Sequence, residues 1–320
     1  MMAIQKIFAK IGSKYSRIFI LILVIFAKGT VAQDDIIRVD TNLVAVPVTV
    51  LDHDGRYVTN LKKEDFQIFE DGVEQEIALF EPIEQQFTVF LLLDVSGSMV
   101  FDMNDLANAA NTFVGQLRPN DNIIAATFAE QTEVIFKSMS VNDFRNKKKF
   151  RLKVIGLPPV TMVYDAVEFA LKKVKKIQGR KAIILLSDGI GSGFSASAKS
   201  NFRDAEEGES LIYTISFDTN INSQSRYESK KQFEKRLEQA EFARNYMRDL
   251  AQKTGGRNFQ IENVSNLEQT FGEVANELGR QYSLGYYPKS SITGRKQIKV
   301  KIRQPNLIVR ARSSYVVEKK

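Results

Sequence analysis

The 320-residue chain is 43% hydrophobic, enough for a sizeable core, and it contains no cysteine and one histidine. That composition excludes disulfides, a lipoprotein attachment thiol and Cys-His chemistry, and leaves little for Ser-His-Asp catalysis or a His-rich zinc site. The formal charge of +7 is concentrated at one end: residues 1–32 hold five basic side chains and no acid, and the remaining 40 basic and 38 acidic residues nearly balance, so no nucleic-acid footprint is indicated.

Lys6, Lys10, Lys14 and Arg17 precede an apolar stretch of about ten residues at 18–27 (IFILILVIFA), followed by Lys28 and the small-residue step Thr30-Val31-Ala32. The stretch is short for a membrane span, so residues 1–32 are expected to be a secretory signal cleaved after Ala32. The alternative is an uncleaved N-terminal anchor. Export without disulfides suits a secreted, periplasmic or cell-envelope protein of a bacterium.

Residues 36–82 are expected to be strands. Val44, Val46, Val48 and Val50 alternate as in a half-buried strand, and Pro47, lacking an amide hydrogen, argues for a sheet edge. His53 falls in a turn signal (LDHDGR) and is expected to be solvated. Glu70-Asp71-Gly72 reads as a hairpin turn between strands at 66–69 and 73–80.

At 90–99 the text is FLLLDVSGSM. Four apolar residues in a row read as a strand buried on both faces, and Asp94 then lies at its carboxyl end, where open α/β sheets place their ligands. Asp94, Ser96 and Ser98 offer one carboxylate and two hydroxyls around a permissive Gly97. This all-oxygen set suits a hard divalent cation. The plain structural reading is a strand-to-helix turn in which Ser98 or Asp102 caps the next helix.

Met103, Leu106, Ala110, Phe113, Val114 and Leu117 then mark one helical stripe, stopped at 118–121 (RPND). Strands at 123–128 and 132–136 are expected as a hairpin at one sheet edge, and a helix from about Asp143 carries Lys147-Lys148-Lys149 as a solvated face. The run GLPPV (156–160) excludes helix and delivers Thr161 to the start of a helix reaching about Lys176, in which Asp165 is expected to cap its own first turn. A second buried strand, AIILL (182–186), ends at Ser187-Asp188-Gly189, and the Gly- and Ser-rich text that follows is expected to be mobile. A helix at 199–207, a strand at 211–217, a long charged helix at 226–253, a stop at Thr254-Gly255-Gly256, a short strand at 258–261 and a helix at 267–278 complete this region.

From Gln281 the sequence returns to strands: SLGYYP, QIKVKIR and LIVRARSSYVV. The two groups of strands flanking the α/β region are each too few to be stable alone, so they are expected to pack together. Tyr282, Tyr286 and Tyr287 could stack on a sugar, but core or interdomain packing is the expected use.

Asp94, Ser96 and Ser98, then Thr161, then Asp188, in this order and on these elements, resemble the metal-ion-dependent adhesion site of von Willebrand factor A domains. The chain after residue 32 resembles the VWFA-related proteins typical of Acidobacteria. The family usually carries two glycines just before the Thr, where Pro159 and Val160 stand here. The resemblance implies a doubly wound, mostly parallel α/β sheet of Rossmann-like type over 84–280, with a small discontinuous antiparallel β domain from 36–82 and 281–320. It further implies that Asp94, Ser96, Ser98, Thr161 and Asp188 hold one Mg²⁺, or Mn²⁺ or Ca²⁺, partly through water, and leave a position for an Asp or Glu carboxylate of a partner protein. That is binding without turnover, with no nucleic acid and no membrane contact beyond an uncleaved N-terminal segment. The alternatives are an envelope scaffold with a vestigial metal site, and a metal-dependent hydrolase, for which no nucleophile–base pair is evident.

Overall fold

The valine alternation becomes β1 (Val44–Leu51), with Val44, Val46, Val48 and Val50 buried. This is a computed structural model, and it describes residues 43–81, 86–99, 103–152, 161–217, 229–289 and 292–317. The expected signal segment and its cleavage position lie outside these residues, as do Asp102, Pro159, Val160 and Arg226. His53 stands exposed beside Asp54 in the turn after β1. β2 (Phe66–Glu70) and β3 (Val73–Gln75) form the expected hairpin, with Asp71 and Gly72 at φ 47° and 84° in its turn. The run expected as one strand at 73–80 is divided: past Gln75 the chain changes sheets and continues as β4 (Ile77–Glu81).

The α/β region follows as β5 (Phe87–Asp94), α1 (Met103–Gln116), β6 (Asn122–Phe128), β7 (Thr132–Ser140), α2 (Val141–Lys147), α3 (Val163–Lys175), β8 (Arg180–Ser187) and α4 (Ala198–Glu207). Then come β9 (Leu211–Phe217), α5 (Lys230–Thr254), β10 (Asn258–Ile261) and α6 (Leu267–Leu278). The strand order is β10-β9-β8-β5-β6-β7, parallel except for β7, which pairs antiparallel with β6 at the edge as expected. All eight residues of β5 are buried, because both faces of the sheet are covered. Val89, Leu91 and Leu93 meet α1 and α6 through Phe113, Val114, Phe271 and Val274. Phe90 and Leu92 meet α3 and α5 through Val163, Val167, Met247 and Leu250. The chain leaves β5 for β6 on one side and returns to β8 on the other, so a topological switch point lies between β5 and β8.

The tail supplies β11 (Tyr282–Tyr286), β12 (Gly294–Ile302), β13 (Ile308–Ala311) and β14 (Ser314–Val317). What reads as one last strand is two, in different sheets. The orders are β13-β1-β11-β4 and β14-β12-β2-β3, so β1 and β4 pair with tail strand β11, and β2 pairs with β12. Both sheets share one core that includes Val46, Val48, Phe66, Ile68, Leu284, Tyr286, Ile298 and Tyr315. The edge position expected from Pro47 is not found: β1 is interior, between β11 and β13. Pro47 is tolerated because the β13 ladder begins only at Val48, leaving Pro47 opposite Ser283 of β11 alone. Among the described residues, no helix is long and apolar enough to cross a membrane.

Tyr282 and Tyr286 are core residues, as expected, while Tyr287 is half exposed. The Tyr286 and Tyr315 hydroxyls both donate to Glu70 Oε2 at 2.7 Å, and this is what makes a carboxylate tolerable in that core. Tyr286→Phe is therefore expected to cost about 1–2 kcal/mol in urea unfolding, since it removes one of two donors to a buried charge. A loss below the measurement error would mean that Glu70 finds other solvation.

Candidate metal centre

Asp94 sits at the carboxyl end of β5, fully buried, at the switch point. Its Oδ1 accepts from Ser96 N–H at 2.9 Å and its Oδ2 from Ser187 Oγ–H at 2.6 Å. The Ser96 and Ser98 hydroxyls are 3.1 Å apart, Ser96 buried and Ser98 exposed. Ser187, the last residue of β8, is a participant that sequence reading missed. The available signal was a hydroxyl closing an otherwise aliphatic run. Its Oγ also accepts from Gly189 N–H at 2.9 Å and so shapes the turn that carries Asp188.

Asp188 is buried just past β8. Its Oδ1 accepts from Ile190 N–H at 2.9 Å, whereas its Oδ2 has no hydrogen-bond partner. Burial raises the Asp188 pKa, against the lowering effect of Ile190 N–H and of the neighbouring Ser98 hydroxyl. Burial, and then the Asp188 charge, push Asp94 up to about 7 despite its bonds from Ser187 and Ser96. Two carboxylates that oppose each other's ionisation, one with an orphaned buried oxygen, beside two hydroxyls, form an incomplete oxygen set. A hard divalent cation fits it, and Asp94, Ser96, Ser98 and Asp188 are the side chains placed to hold one. Among the described residues there is no cluster of three or more His, Asp or Glu, so this pair of carboxylates stands without a third.

Thr161 belongs to the same edge of the sheet. Its carbonyl accepts from Ser192 N–H at 2.9 Å, and Met162 N–H donates to Ala129 O at 2.8 Å. Val95 N–H in turn donates to Phe128 O at 2.9 Å, so backbone bonds join the segments at 95, 128–129, 161–162 and 192 at this edge. Two glycines allow the close fit. A Cβ on Gly191 would stand 2.5 Å from Thr161 O, and one on Gly189, at φ 73°, would stand 2.9 Å from Met247 Cγ of α5. The turn after Asp188 is thereby pressed against both α3 and α5.

Asp165 does not cap its own helix turn. It holds the 194–196 loop instead, accepting from Phe194 N–H (2.6 Å), Ser195 N–H (2.9 Å), Ser195 Oγ–H (2.6 Å) and Ala196 N–H (3.3 Å). Partial burial would raise its pKa, but these donors outweigh that and hold it below the usual carboxylate value. The Gly- and Ser-rich segment expected to be mobile is thus pinned at its tip.

The von Willebrand factor type A domain model matches residues 88–273, from β5 into α6, and it takes in every residue of this site. The chain belongs to the von Willebrand factor type A domain family. Members of that family are generally protein-interaction modules. Among the curated proteins, none matches the sequence. Solved structures similar to this von Willebrand A protein include an aerotolerance-related membrane protein from Bacteroides fragilis, at 14% identity and TM-score 0.43, covering 59% of this chain and 98% of that one. The ArnB paralog VWA2 from Sulfolobus acidocaldarius is similar at 17% identity and TM-score 0.43, covering 87% and 76%. The pilus adhesin SpaC from Lactobacillus rhamnosus GG, in an open conformation, is similar at 9% identity and TM-score 0.43, covering 83% and 44%. At such TM-scores these likenesses carry no argument about function or site.

Proposed function

We propose that this von Willebrand A protein is an exported module that binds a partner protein through a divalent cation held by Asp94, Ser96, Ser98, Thr161 and Asp188. The observation that carries the reading is the orphaned, buried Oδ2 of Asp188, close enough to a second buried carboxylate, Asp94, for its charge to raise that group's pKa, with two serine hydroxyls 3.1 Å apart in the same loop as Asp94. A cation there satisfies the lone pairs that the protein leaves open. Mg²⁺ keeps several positions for water, and a carboxylate is the preferred replacement for one of them because the ion favours anionic oxygen. Ser98 is exposed, so an Asp or Glu of the partner would reach the cation from its side. Metal and partner then strengthen each other's binding by the same factor.

Calorimetric titration of Mn²⁺ tests the site. The wild type is expected to bind one ion with modest affinity, Asp94→Ala to bind none measurably, and Ser98→Ala and Thr161→Ala to lose less, because each removes a neutral ligand. Indistinguishable isotherms for wild type and Asp94→Ala would remove the metal from the mechanism, and with it the carboxylate capture.

A further inference from the structure

Beside the metal site lies a cavity of about 220 Å³, lined by Tyr164, Gly189, Ile190, Gly191, Glu238 and Phe242, with Gln239. It is continuous with the site through the chain itself: Gly189 follows Asp188, and Tyr164 is three residues past Thr161. Its volume falls below the roughly 300 Å³ at which pockets for drug-sized ligands begin, so it has room for one side chain. Tyr164 is fixed as a wall by an edge-on contact with buried Tyr246, at 5.0 Å between ring centroids. Phe242, 55% exposed, and Glu238 stand four residues apart on one face of α5.

The surroundings are also held still. Phe194 is 94% exposed, yet its backbone and the next two residues are tied to Asp165 by four hydrogen bonds, and Asp165 adjoins Tyr164. A lone exposed phenylalanine needs no explanation, but one held outward on a pinned loop loses little freedom on contact. Charge then divides the surface into two roles. Glu238 at the cavity repels an acidic side chain, while the cation expected at Asp94 and Asp188 attracts one.

We infer that the partner presents a bipartite element, an Asp or Glu for the cation and, a few residues away, an uncharged aromatic or leucine-sized side chain that fills the Tyr164–Ile190–Phe242 cavity. The inference rests on the metal-site reading and adds to it the feature that selects among acidic partners. Carboxylates are abundant on protein surfaces, and a cation alone discriminates poorly between them. Fully burying a side chain of Phe size contributes enough for about tenfold tighter binding or more.

The test uses the full chain with Mg²⁺ and capped six-residue peptides, each holding one Asp and one Phe separated by one, two or three residues, with binding followed by calorimetry. At one spacing at least, the Phe peptide should bind about tenfold more tightly than the same peptide with Ala for Phe. Phe242→Ser should abolish that difference while leaving the Ala peptide and the Mn²⁺ isotherm unchanged. Phe242 is half exposed, so its loss does not threaten folding. Replacing Asp by Asn in the peptide should remove binding in both proteins. Equal binding of Phe and Ala peptides at every spacing, or a difference that survives Phe242→Ser, overturns the cavity's role and leaves the metal site standing. A Mn²⁺ isotherm without any peptide binding also overturns it. Absence of both Mn²⁺ and peptide binding overturns the inference together with the reading beneath it.

Discussion

Glu277→Ala should destabilise the protein by up to about 3–5 kcal/mol in urea unfolding, the cost of leaving the largely buried Arg310, 27% exposed, without its counter-charge. Glu277 lies in the last turn of α6 and is fully buried. Its carboxylate pairs with the Arg310 guanidinium of β13 and accepts from Tyr213 Oη at 2.7 Å and Tyr57 Oη at 3.3 Å. Three parts of the fold converge on it: β9 of the parallel sheet, the segment after β1, and β13 of the paired antiparallel sheets. Burial works to lower the Arg310 pKa, but the Glu277 charge outweighs it and the net shift is upward. Burial, followed by the same negative charge, pushes Tyr57 up to about 12. Removing the carboxylate therefore strands a guanidinium and two hydroxyls at once. Arg310→Met in the Glu277→Ala background should recover much of the loss, since a buried pair replaced by apolar groups is often neutral. If the single substitution costs less than about 1 kcal/mol, water reaches Arg310 and the cluster is not dry.

What could be read from the sequence was what is encoded locally. β5 and β8 announce themselves because a strand buried on both faces must be apolar at every position, and each run stops at a hydroxyl or carboxylate that faces the crevice. Four of the expected site residues, Asp94, Ser96, Ser98 and Asp188, are joined by short contacts or mutual charge, and Thr161 is tied to the same edge through its backbone. What could not be read depends on partners far away in the chain. Pro47 looked like an edge residue because nothing near it shows that β13 stops one residue short. The runs at 73–80 and 307–317 alternate well enough to pass for single strands, and their division between two sheets is a tertiary event. Asp165 resembled a helix cap, yet its four donors come from a loop about thirty residues later. Glu277 did carry a local signal, since it falls on the apolar stripe of α6 beside Phe271, Val274 and Leu278, where an acid requires a partner.

Without a divalent cation, the protein should be more stable at pH 5 than at pH 8, and saturating Mg²⁺ should reverse the order. The sign follows from Asp94. Its pKa is about 7 in the folded chain and near the ordinary 3.8 when unfolded, so between those values the folded state binds more protons. Stability is then lost as pH rises through that window, by an amount on the order of 4 kcal/mol if Asp94 acts alone. The upward shift of Asp188 has the same sign. The carboxylates held below their usual value, Asp52, Asp65, Asp71, Asp143 and Asp165, titrate below that window and do not cancel the trend. A cation binds the ionised pair, so its stabilisation grows with pH as protons cease to compete. Asp94→Asn separates the two effects. It keeps an oxygen for Ser96 N–H and turns an amide N–H₂ toward Ser187 Oγ, which can accept, while removing the charge, so the metal-free variant should be more stable than wild type at pH 8, with a shallower slope between pH 5 and 8 and no response to Mg²⁺. Thermal melts of both proteins at the two pH values, with Mg²⁺ or with EDTA, give the comparison. Parallel pH profiles for wild type and Asp94→Asn in EDTA would show that the two carboxylates are already solvated, and that no unsatisfied charge remains there for a cation to relieve.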